Sequence, residues 1–107
     1  MTDLEITRLC AEAMDLCEDE RTTHTISYRE EGHIWIRHEA DPIGYRYSPL
    51  HDDAQAMALV KKFCPSMGHG SVPEEWHVHL REPDVWGNSE DLNRAICECV
   101  AKMQAAK

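Results

Sequence analysis

The residues best equipped for chemistry in this chain are seven histidines and five cysteines. His77 and His79 fall two apart in the alternating run Trp76 to Leu80, so on a strand their imidazoles share one face and can reach one metal ion. With His69 in the preceding segment they make a candidate zinc set, and solvent-facing histidines are the competing reading. Cys97 and Cys99 do not extend that set, because residues two apart on a helix point about 200° apart and zinc ligand pairs must converge.

A nucleophilic cysteine needs a base or cation that stabilises its thiolate. Cys64 follows a lysine pair at a helix C-terminus, where the dipole disfavours negative charge. Cys10, Cys17 and Cys99 fall on or beside apolar helix stripes and read as small core residues. Asp52-Asp53 reads as the acidic start of a helix rather than an acid–base pair. The chain has no Gly-x-Gly-x-x-Gly, P-loop, Gly-x-Ser-x-Gly or His-Glu-x-x-His motif. No catalytic residue is assigned, and the protein is not expected to be an enzyme.

The elements that must position these residues follow from periodicity. Thr2-x-x-Glu5 has the form of a capping box, and Ile6, Leu9, Ala13 and Leu16 continue it as one apolar stripe, predicting a helix over 3–18. Residues 23–30 alternate and are β-branched; Glu31-Gly32 supplies a turn and His33 to His38 the returning strand of a hairpin. Ile43 to Tyr47 offers a third strand, which Ser48-Pro49 ends. Asp52 or Asp53 starts a second helix with Ala56, Leu59, Val60 and Phe63 as its buried stripe, closed by Cys64-Pro65. Residues 65–74, rich in Gly and Pro, read as a loop, and Trp76 to Leu80 as a strand with Trp76, Val78 and Leu80 inward. Asn88 or Ser89 is placed to cap a last helix with Leu92, Ile96, Cys99, Val100 and Met103 inside.

The order is α-β-β-β-α-β-α, in a single domain over 1–107. Strands and helices do not alternate regularly, which predicts an α+β fold: a mostly antiparallel sheet of about four strands packed by three helices.

Three segments together resemble the phage ABA-sandwich domain family. They are Tyr47 to Phe63 (aromatic, Pro49, Asp52, then an Ala-rich amphipathic helix), the short strand Trp76 to Leu80, and the closing helix around Ala95-Ile96-Cys97. The resemblance implies a helix-sheet-helix sandwich in a small phage or prophage protein. It brings no catalytic residues.

The formal charge of −9 argues against direct nucleic-acid binding, which rests on Lys and Arg at phosphates. Acidic pairs, among them Asp52-Asp53 and Glu74-Glu75, suit a protein partner with a basic surface. The expectation is an accessory protein that acts by binding, in its most specific form an anti-defence inhibitor that blocks a basic target of the host. Trp86 in the Pro-Asp-Val-Trp-Gly segment is a candidate exposed anchor, and Trp35 marks a second interface face suited to a homodimer. Small-ligand or nucleotide binding at the 65–74 segment, whose Met67 to Ser71 amides could cradle a phosphate, is the alternative, with a zinc-binding structural protein beside it. The longest wholly apolar run is Ala56 to Val60, and the start MTDLEITRL lacks the order of a secretory signal. A cytoplasmic protein without membrane contact is expected.

Overall fold

A computed structural model describes residues 1–14, 25–30, 33–38, 45–71 and 74–107. It contains three helices, α1 (Asp3–Ala13), α2 (Asp53–Phe63) and α3 (Leu92–Ala105). Six strands accompany them: β1 (Thr25–Glu30), β2 (His33–His38), β3 (Tyr45–Tyr47), β4 (Ser66–Ser71), β5 (Glu74–Leu80) and β6 (Val85–Ser89). The fold is α+β with antiparallel pairing throughout, as the periodicity predicts. The strands form two three-stranded sheets, β1-β2-β3 and β4-β5-β6, rather than one sheet of about four. Two of the added strands lie where the sequence reads as irregular. Gly68 and Gly70 mask the strand at β4, and Gly87 does so at β6. Their pairing with β5 supplies the backbone hydrogen bonds that local propensity does not favour.

Helix α1 starts as predicted, with the Thr2 hydroxyl accepting from the Glu5 amide at 3.2 Å. It stops at Ala13 rather than at 18. Met14 caps it, its amide donating to Cys10 O at 3.1 Å, and the Lys62 ammonium takes the Ala13 carbonyl at 2.7 Å. Leu16 and Cys17, expected in its stripe, lie outside the described residues, as do the Glu31-Gly32 turn and residues 23, 24, 43 and 44 of the expected strands. Helix α2 is capped by Asp52, and its last turn hands over to Cys64, which takes the left-handed conformation (φ 49°) and donates its amide to Val60 O. Helix α3 is capped by Asp91, not Asn88 or Ser89, because β6 carries the chain extended through Ser89, whose hydroxyl then accepts from the Asp91 amide.

Helix α3 is the centre of the core. Ala95, Ile96, Cys97, Cys99, Val100, Ala101 and Met103 are all buried, which covers far more than the single stripe read from the sequence. Helices α1 and α2 lie against it on one side and β5 and β6 on the other, while β2 packs on α1. The first sheet thus meets the helices through β2 and α1, and the second through β5, β6 and α3. Val78 from β5, Ile34 and Ile36 from β2, and Tyr47 and Leu50 near β3 fill the same apolar cluster. At Gly87 the strand comes so near α3 that a Cβ would sit 1.9 Å from Ala95 O. Glycine is therefore required there by close approach.

Candidate binding surface

The first turns of the three helices are joined by side chains. Asn93 Nδ2, in the first turn of α3, donates to Asp53 Oδ1 of α2 at 2.8 Å. Arg94 Nη2 donates to Asp3 Oδ1 of α1 at 2.8 Å, and its Nε to Glu98 Oε1 at 3.2 Å. Bonding to Asp3 raises the Arg94 pKa further above its ordinary value. Each helix start carries acids for a local reason: Asp52 accepts from the Gln55 amide, Asp91 from the Asn93 amide, and Asp3 sits in a first turn where the dipole favours a negative charge.

The second sheet adds to that end. Trp76 pairs with Ser89, two residues before Asp91, so Glu74 and Glu75 at the start of β5 lie at the same pole as Glu90 and Asp91. Asp52, Asp53, Glu74, Glu90 and Asp91 are exposed and Glu75 is half-buried. Four predicted binding residues, Asp52, Asp53, Glu74 and Glu75, are thus gathered at one end. At the other end the last turns of α2 and α3 are basic, with Lys61, Lys62 and Lys102, while the β5–β6 turn there carries Arg81 together with the exposed Glu82 and Asp84.

The two tryptophans are not part of the acidic pole. Trp86 lies toward the basic end, its carbonyl accepting from Lys102 Nζ at 2.8 Å, and its ring is exposed as predicted. That ring stacks on His79, with centroids 4.0 Å apart and planes 15° from parallel. Trp35 sits half-buried on the central strand β2, between Tyr28 and Arg46 in the register.

The histidines separate by face. His77 and His79 lie on the solvent face of β5, where His77 Nδ1 donates to Asn88 Oδ1 at 2.7 Å and His79 Nε2 meets Asp84 Oδ1. His69 pairs with Trp76 on the opposite face of the sheet, its ring centroid 4.9 Å from that indole. The predicted zinc set of His69, His77 and His79 therefore does not converge. Among the described residues no three His, Cys, Asp or Glu side chains are placed to hold a metal ion.

The buried thiols are held as thiols. Cys10 Sγ donates to Cys97 O at 3.5 Å, and its bonding with Cys97 together with burial pushes its pKa far above the ordinary 9.0. Burial also raises Cys99, whose Sγ donates to Val85 O at 3.6 Å. Cys64 is exposed and donates to Lys61 O.

One concavity was missed in the sequence. A cleft of about 200 Å³ opens between α1 and the β3–α2 turn, lined among others by Asp3, Thr7, Arg46, Ser48, Leu50 and His51. It continues over Arg46, Ser48 and His51 into a shallower hollow. Gln55 shapes its wall, accepting from the Ser48 amide at 2.6 Å and donating Nε2 to Arg46 O at 3.0 Å. Alternation along β3 was the available signal: Tyr47 is buried and Arg46 therefore faces out. Among the described residues the Arg46 guanidinium has no ion pair.

No family model matches this chain, and neither the curated proteins nor the solved structures give a match. Among the described residues no helix is long and apolar enough to cross a membrane.

Proposed function

We propose that this protein acts by binding a protein partner that presents a basic surface, with the acidic pole as its contact. The observation that supports the reading is the gathering of acids from four separate chain segments at one end. Capping accounts for Asp52 and Asp91, but Glu74, Glu75 and Glu90 cap nothing. Like charges brought together repel one another, at a cost to stability that a basic partner would offset. In its most specific form the partner is a nuclease or immune complex of the host, whose nucleic-acid site the pole occupies. A tagged wild-type chain and a D53N/E75Q/E90Q variant, each exposed to host lysate at rising salt, test this. The wild type is expected to retain a basic protein that salt releases and the variant does not hold. Equal retention by both, or retention of nothing, overturns the reading.

A second reading rests on the cleft. Arg46 and His51 line it with the apolar Leu4, Ile34 and Leu50, and with Asp3 already paired to Arg94 they suit a small ligand bearing a carboxylate or phosphate. A thermal-shift screen against nucleotides and small acids checks it, since a ligand that binds only the folded state raises the melting temperature. No shift with wild type, or an equal shift with R46A, removes it.

A further inference from the structure

We infer that β4 is a pairing edge for a second copy of this chain. Two β4 strands would join antiparallel, making one continuous six-stranded sheet from two copies of β4-β5-β6.

Strand β4 stands at the edge of its sheet, and every other residue of it turns its backbone N–H and C=O away from β5. Edges of this kind template pairing unless they are short, bulged, charged or broken by proline. Ser66-Met67-Gly68-His69-Gly70-Ser71 has none of these devices: six residues, unbroken pairing with β5, no formal charge and no proline. Five of the six are exposed, and Met67, though opposite the buried Val78 on the core-facing side of the sheet, is itself 44% exposed at this edge.

The occupant follows from charge. An antiparallel partner in register must set residues of the same face opposite one another. Centred on Gly68, that register places Met67 against the partner's His69 and Ser66 against the partner's Gly70. A Cβ at Gly68 would meet nothing within 4 Å, so a side chain can be placed there without disturbing the fold. Beyond the ladder, Glu74, opposite Ser71 at one end of β4, comes toward the partner's Lys61, because β4 leads from the lysine-bearing end of α2 to the acidic start of β5; Lys62 is held by the Ala13 carbonyl and Glu75 turns to the His77 face. The two-fold axis repeats this contact at the other end of the seam. A parallel arrangement would instead bring two acidic poles together. An arbitrary extended peptide lacks the paired acids and lysines that make the seam complementary. Glu74 is shared with the acidic pole, but Asp52, Asp53, Glu75 and Glu90 lie off the seam, so a variant at those positions tests the partner surface without touching the dimer.

Sedimentation velocity on the full chain over a concentration series tests the inference. The wild type is expected to reach twice the monomer mass. M67K/G68K, which places two charges on exposed positions of the edge, is expected to remain monomeric with unchanged circular dichroism and melting temperature. E74K and K61E are each expected to weaken self-association about tenfold. Mixing those two variants restores dimer, because both ends of the seam then pair opposite charges. A wild type that stays monomeric at every concentration overturns the inference, including the case in which it binds only an extended peptide. So does a dimer that persists in M67K/G68K, or one that the mixture of charge variants fails to restore.

Discussion

At the scale of single residues, the cysteines show how burial decides chemistry. Cys10 and Cys99 have ionisable thiols that the core holds protonated, the first by its contact with Cys97 and burial, the second by burial. In the unfolded chain both ionise near the ordinary value of 9.0. A folded-state pKa above the unfolded one gives stability that is complete below pH 9 and is lost as the pH rises beyond it. The expected loss is about 1.4 kcal/mol per pH unit for each such thiol. Urea midpoints measured upward from pH 8 in reducing buffer check this, and C10A should make the decline shallower. The sequence placed Cys10 and Cys99 in the core from helix periodicity alone. It left Cys97 off the stripe, because that reading assumes a helix with one apolar side.

At the scale of elements, α3 departs most from its sequence reading, and the cause is contact on two sides. A surface helix buries one stripe; a helix with α1 and α2 before it and β5 and β6 behind it must be small or apolar nearly all round. Ala95, Cys99 and Gly87 meet that demand where the strand lies nearest the helix backbone. G87A should therefore destabilise the fold by about 3 kcal/mol, since backbone and not a flexible side chain blocks the added methyl. Equilibrium denaturation checks this, and A105G at the exposed end of α3 gives a reference of about 1 kcal/mol or less. Strands β4 and β6 were not legible for the complementary reason. Their glycines give no periodic signal, and only register with β5 makes them strands.

At the scale of the whole molecule, charge separates along the helices. The starts of the three helices meet, each with an acid at its cap or in its first turn, and α2 and α3 end in lysines, so local preferences add into one acidic pole. Such a pole repels itself, and the net charge of −9 gives no compensation. Moderate salt should therefore raise the melting temperature, and E74Q or E90Q should do so at low salt by up to about 0.5 kcal/mol each. Calorimetry over an ionic-strength series checks both. A melting temperature that falls as salt rises would mean that Asp3–Arg94 and the dipole contacts outweigh the repulsion.

The sequence by itself determined the order and number of the helices, the cap at Thr2, an acidic start at 52 or 53 for the second helix, the β5 alternation and the absence of familiar catalytic motifs. These are local matters of period, capping geometry and residue type. The tertiary structure alone decided that the strands divide into two sheets, that His69 faces away from His77 and His79, that a cleft opens beside Arg46, and that scattered acidic pairs form one pole. Each depends on which distant segments are brought together. Strand register and helix direction set those meetings, and no local pattern encodes them.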